Sequence, residues 1–414
     1  MSRLLRKCVW GFGLLACSGA GQATNAVVST CTEAGFMTAF NAVDGSGGGT
    51  ITFTCSGTIT FTSLKQVSGN DVIDGGNNVT FGGNDSSPLF QVFFGKQFTL
   101  KRLSMQHAVS VSGAYALENF GTLDLVNVTL SNSHLLQAGF VVNHGTLNVS
   151  GSTFSSNNII GGSLAGVAID NDGTAAIGTS TFASNVIDST IAGTGGAINN
   201  NGGALFVHAS TFTANSAFNG AAIFSSGEMH VINSTFQGNF TAGTTGGGGA
   251  IYQTGTSNST LDFATVVGNS ASYGAGIYSD GATSGVMTVG KSIIAGNNTG
   301  NCDGGAANYV SGGYNVGTSS CIFFGVTDTV SANAGVLDAL GNYGGPTQTM
   351  RLSSSTNPAY NKVPAANCKE STTGTSVRYD QRVATRPTGS ACDSGAYQHN
   401  GVLNDRIFGD GFDF

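Results

Sequence analysis

Five residues of this chain have the types and spacing to do chemistry together: His144, Asp170, Asp172, Asn199 and Asn201. Asp170 and Asp172 are near-neighbour carboxylates, and glycosidic hydrolysis needs two such groups, one as acid and one as base or nucleophile. If His144 sits one structural repeat before them and Asn199 and Asn201 one repeat after, all five converge on a patch able to hold a sugar or a calcium ion. The plainer reading weighs more: Asn and Asp favour tight turns whatever the function.

Other chemistry is scarce. Cleavage of acidic polysaccharides calls for a strong base and acidic metal ligands. Between Thr80 and Gly300 the basic residues are Lys96, Lys101, Arg102 and Lys291, none in register with an acidic cluster. His208 and His230 fall on outward strand positions two residues out of register, Phe206 facing His230 and Ile232 facing His208; they read as solvated surface histidines. No nucleophile elbow, phosphate loop, His-Glu-x-x-His helix or calcium-binding nonapeptide occurs. No metal and no cofactor is expected, and the balance leans away from an enzyme.

What must position these residues is a repeat. Ser-Thr-Phe-x-x-Asn stands at 152–157, 180–185, 210–215 and 234–239, with looser copies at 264–269 and 292–297. The Phe position or its substitute falls at 154, 182, 212, 236, 266 and 294. A second marker, a small-residue run such as Gly195-Gly196-Ala197-Ile198, closes on an aliphatic residue at 142, 169, 198, 223, 251 and 277. Two markers sharing one irregular period of about 27 residues imply stacked supersecondary units. Within each unit apolar residues alternate, as in Leu205-Phe206-Val207, which is a strand signal. Gly, Asn, Ser and Asp separate about three such strands, and no unit holds a long amphipathic helix.

The fold expected is all-β: a right-handed parallel β-helix of the pectin-lyase-like kind, of about ten coils, with a short amino-terminal capping helix. The Phe column forms an internal aromatic ladder, the Ile column an aliphatic one. The Asn column (157, 185, 215, 239, 269, 297) sits at a bend, its amides bonding backbone or each other. Thr32 to Val43 reads as the helix, with Phe36, Met37 and Phe40 on one face, closing an end that would otherwise expose core and pairing edge. The expected organisation is a signal over 1–26, a cap over 27–49, the β-helix over 50–325, a carboxyl-terminal module over 326–400 and a tail over 401–414.

Arg3, Arg6 and Lys7, then Val9 to Ala16, then Ala20, Ala23 or Ala26 read as a secretory signal whose apolar run is too short to span a bilayer. Leu14-Leu15-Ala16-Cys17 is similar to a lipoprotein cleavage box, with Leu15 a poor fit. Removing the signal takes the 15 basic residues to 12 against 22 acidic ones, a net charge near −10. Such a chain has no electrostatic footprint for nucleic acid. The cysteines that remain, Cys31, Cys55, Cys302, Cys321, Cys368 and Cys392, are even in number, as expected of disulfides in an exported chain. Their grouping suggests 31–55, 302–321 and 368–392, one of fifteen possible pairings.

Near the carboxyl end stand Gly341-Asn342-Tyr343-Gly344-Gly345-Pro346-Thr347-Gln348-Thr349, Asp380-Gln381-Arg382, Arg386-Pro387 and Cys392-Asp393-Ser394-Gly395-Ala396-Tyr397. With Cys31-Thr32-Glu33-Ala34 and the repeats, these resemble exported bacterial β-helix proteins of the choice-of-anchor Q family, whose repeats are similar to those of polymorphic outer-membrane proteins. The resemblance covers nearly all of the mature chain. Tyr360-Asn361, in place of an Ile-Asp pair, and Val383, where Gly is usual, depart from it. It implies export from a Gram-negative bacterium and a secreted or surface location, and no established chemistry. Asp405 to Phe412 resembles a short tail of other exported Gram-negative proteins. The expected function is therefore a monomeric surface or extracellular interaction module, an adhesin or passenger, binding a glycan or a surface protein, with no membrane span in the mature chain. The alternative is a polysaccharide lyase or glycoside hydrolase on the same fold.

Overall fold

A computed structural model describes residues 23–403, apart from 110–114, 137, 162–165, 189–191, 281–284 and 320. Nearly all of the expected signal, with Cys17, and the tail from 404 onward lie outside the described residues. The chain is a parallel β-solenoid of about 11 turns; among the described residues it is all-β except for one α-helix, α1 (Glu33–Gly45), near the amino terminus, and short 3-10 turns.

Three long parallel sheets run along it. The first has 12 strands, from Ala26–Val28 to Tyr309–Gly313; the second also has 12, from Gly57–Thr60 to Thr329–Val330; the third has 10, from Lys65–Val67 to Cys302–Gly304. The coils number about 11, in line with the expected order of ten. One expectation needs correction here. A fourth, five-stranded ladder, from His134–Leu135 to Phe240–Thr241, adds a short strand to the middle coils, where extra residues after the Asn position need backbone partners.

The ladders explain the repeat. Phe154, Phe182, Phe212 and Phe236 pair in register, fully buried, with ring centroids 4.8–4.9 Å apart and planes within 7°. That distance is the strand spacing itself, so the stacking follows from the backbone. Val266 and Ile294 continue the column. The aliphatic column runs Val141, Ile169, Ile198, Ile223, Ile251, Ile277. Leu117 precedes Val141 in it; Val142, taken from the sequence, pairs with Asp170 one position out of register, because two adjacent valines hide which one points inward.

Asn side chains close the bend as expected. Asn157, Asn185, Asn215, Asn239 and Asn269 each donate to the next Asn Oδ1 up the stack at 2.9–3.1 Å. The same Nδ2 also reaches the carbonyl of an inner residue below, such as Phe154 O from Asn185. A second buried ladder, not anticipated, links Asn119, Asn143, Asn171 and Asn200 at 2.7 Å and ends on Ser225 at 3.0 Å. Buried amides cost little when every group is paired.

At the amino-terminal end α1 carries Phe36, Ala39, Phe40 and Val43 into the core, with Met37 partly buried, and Thr32 Oγ1 caps it from Gly35 N–H. Three disulfides, Cys31–Cys55, Cys302–Cys321 and Cys368–Cys392, match the expected pairing. No helix among the described residues is long and apolar enough to cross a membrane.

Residues 337–403 fold back along the flank of the coils. Thr347 Oγ1 donates to Ala209 O, and Gln381 bridges Thr211, Thr235 and the Ser210 and Gln348 carbonyls. Lys291, read from sequence as unmatched, is buried 3.5 Å from Asp262, and Ser371 bonds both. Asp262 pairs with Gly290, the neighbour of Lys291, in adjacent coils; only the Ser371 bonds need the returning segment.

Candidate functional site

The outer face of the third sheet carries all five predicted residues in two adjacent columns. Asp170 and Asn199 are strand residues in direct register, not turn residues as expected. Their column reads Gln91, Glu118, Val142, Asp170, Asn199, Phe224, Tyr252, Tyr278. His144, Asp172 and Asn201 each follow the buried Asn of their coil, so they lie side by side in the adjoining turn.

The structure joins four of the five in two pairs. Asn199 Nδ2 donates to Asp170 Oδ1 at 2.8 Å. His144 Nδ1 lies 2.9 Å from the Asp172 carboxylate, and its Nε2 lies 3.7 Å from Glu118 Oε1. Its ring stacks on Phe120 at 4.8 Å. Asn201 is exposed and contributes its backbone N–H to Asn171 O. Burial pushes the Asp170 carboxyl up to about 6; the bond from Asn199 and the His144 ring oppose this, and the Asp172 charge adds to it. Among the described residues no group of three or more His, Cys, Asp or Glu converges as a metal site.

Sequence reasoning missed the aromatic residues at both ends of this patch. Before it, Phe93, Phe94 and Phe120 stand in or beside the His144 column, Phe94 being 88% exposed. After it, Phe224, Tyr252 and Tyr278 stack at 5.3 and 4.8 Å, with Tyr273 edge-on to Tyr278 at 4.7 Å. The signal was present as Ile-Phe, Ile-Tyr and Ile-Tyr directly after the small-residue runs. From Phe120 to Phe224 is four coils, a span on the order of 20 Å at the strand spacing.

The two outward histidines of the first sheet differ from expectation in one case. Phe206 and His230 do face each other, stacked at 5.3 Å, and His230 bonds Thr260 and Glu228 at 2.8 Å. His208, however, is not a fully solvated surface group: it lines a cleft between the coils and the carboxyl-terminal segment, and desolvation lowers its pKa to about 4, so it is neutral near pH 7.

Comparison with protein-family models, with curated proteins and with solved structures finds no match.

Proposed function

We propose that the protein is an exported surface or extracellular module that binds a neutral glycan along the outer face of the third sheet, without cleaving it. One observation carries this reading: a row of amide and carboxyl groups is bracketed at both ends by aromatic rings on the same face. Sugar rings pair their C–H faces with aromatic rings, and their hydroxyls pair with amides and carboxylates; both kinds of group recur here at the coil spacing. A span on the order of 20 Å suits an oligosaccharide laid along the axis. The scarcity of basic side chains on the coils disfavours an acidic polymer. The disulfides and the carboxyl-terminal resemblance to choice-of-anchor Q proteins support export. The test is calorimetric titration with neutral and acidic oligosaccharides. A Phe94→Ala, Phe120→Ala double variant should lose at least ten-fold in affinity with an unchanged melt. Equal affinity in variant and parent would remove the reading.

A second reading rests on Asp170. A buried carboxyl raised to about 6, with a second carboxyl group, Asp172, paired to His144 close by, is a two-carboxyl arrangement of the kind glycoside hydrolysis uses. Release of reducing ends from a bound oligosaccharide, abolished by Asp170→Asn, would establish that reading instead.

A further inference from the structure

The returning carboxyl-terminal segment leaves a cleft of about 650 Å³ between residues 370–379 and the outer face of the first sheet. That volume is typical of a small-molecule site. The cleft shares no residue with the third-sheet face and does not rest on the glycan reading.

Three side chains of this outer face are joined in a line. Glu228 and His230 stand two residues apart on one strand, so both point outward. Thr260 is the register partner of His230 in the next coil. His230 Nδ1 lies 2.8 Å from Thr260 Oγ1, and its Nε2 lies 2.8 Å from Glu228 Oε1. The Phe206 ring, in register one coil before, stacks on the imidazole within 8° and holds its plane. His230 and Thr260 both line the cleft.

The bonding assigns the roles. Glu228 Oε1 accepts from Nε2–H, so in the neutral ring Nδ1 keeps its lone pair and accepts from the Thr260 hydroxyl. A hydroxyl within hydrogen-bond reach of a base that a third group orients is an activated nucleophile. Arg378 puts a guanidinium on the same lining, and Ile232 and Val377 put hydrocarbon there.

We propose that this cleft hydrolyses a small carboxylic ester, with Thr260 as nucleophile, His230 as general base and Glu228 as the positioning residue. Thr260 Oγ1 gives its proton to His230 Nδ1 and bonds to the ester carbonyl carbon. The C–O bond to the alcohol then breaks, and the imidazolium returns the proton to the departing oxygen. Water, deprotonated by the same nitrogen, releases the acid and restores the Thr260 hydroxyl. The hydrocarbon of the lining suits an apolar acyl group, and the guanidinium suits the oxyanion.

Hydrolysis of p-nitrophenyl butyrate by the full chain tests this. The expected result is saturable turnover, faster than that of free imidazole at equal concentration, with a butyryl group on Thr260 in acid-quenched samples. Thr260→Val keeps the side-chain shape and should lower kcat about 100-fold or more with an unchanged melt. His230→Ala, at a side chain 32% exposed, should do the same and keeps the test open if the Thr260 variant does not fold. Glu228→Gln should lower kcat about ten-fold or more at unchanged KM. Turnover no faster than imidazole, activity kept by Thr260→Val or His230→Ala, an unaltered kcat in Glu228→Gln, or no butyryl group on Thr260 would each overturn the proposal.

Discussion

In the coils, a side chain's partner is its own counterpart one repeat away; in the returning segment, it is a residue far off in sequence with nothing repeated about it. Phe212 touches Phe182 and Phe236, and Asn215 bonds Asn185 and Asn239. Gln381 instead meets Thr211 and Thr235, 170 and 146 residues away. The two regions also treat charge differently. The repeating ladders bury amides, hydroxyls and hydrocarbon. The returning segment buries Asp380, Arg382, Arg386 and Asp393. Asp380 accepts from Arg382 Nη2 at 2.6 Å and from the N–H groups of Arg382, Ala384 and Gln398. Arg386 lies 4.3 Å over the Phe263 ring and donates to the Asp393 and Gly395 carbonyls; burial lowers its pKa only to about 10, so it stays charged. A neutral ladder can be extended by copying, but it tolerates neighbours in any coil. A unique charged network fixes a single docking position, because any shift strands a buried ion.

This contrast can be broken at either end. The largest loss is expected from Asp380→Ala, about 3–5 kcal/mol for removing one partner of a buried pair. The returning segment should become protease-sensitive before the coils melt; simultaneous loss of both would mean the two regions fold as one unit. Phe212→Ala should cost about as much, 3–5 kcal/mol, since its stacked neighbours cannot close the gap without breaking their own coils. Here the loss should appear in the coil transition, and a melt no lower than the parent's would overturn the inward ladder. Asn215→Leu removes the Oδ1 that accepts from Asn185 Nδ2 and the Nδ2 that donates to the Phe182 carbonyl, and should cost about 1–3 kcal/mol.

Asp71 sharpens the rule on charge, being a fully buried carboxyl within the first coils whose oxygens have no hydrogen-bond donor. Burial, with the nearby Asp44 charge, pushes it up from 3.8 to about 7. Between those values the folded chain holds a proton that the unfolded chain has released, so this group makes stability fall as pH rises. Asp71→Asn should flatten that slope; an unaltered pH profile from chemical denaturation would show that the site is charged in the fold. The smallest effect belongs to Asp172→Ala, less than about 1 kcal/mol, since its carboxylate is largely exposed. A larger drop in melting temperature would make the His144 pair structural.

Val383 shows the same network holding an unusual backbone. This residue takes φ +67°, where a β-branched side chain is disfavoured and Gly is at ease. The Asp380 carboxylate, bonded to the N–H groups on both sides of it, holds the turn in place.

The sequence alone determined the solenoid, its inward Phe and Asn columns, the capping helix and the disulfide pairs. Each of those rests on contacts one period or less apart, and a period is visible as text. It also located the polar patch around Asp170, because residues at equal phase must stack. It could not separate Val141 from Val142, since two adjacent valines satisfy the alternation either way. Only the tertiary structure placed Asp170 and Asn199 on strands and packed the returning segment over Lys291 and beside His208. The second of these depends on how the non-repeating chain from 337 onward packs back across coils far earlier in sequence. Contacts of that range leave no phase in the sequence; shape and burial decide them.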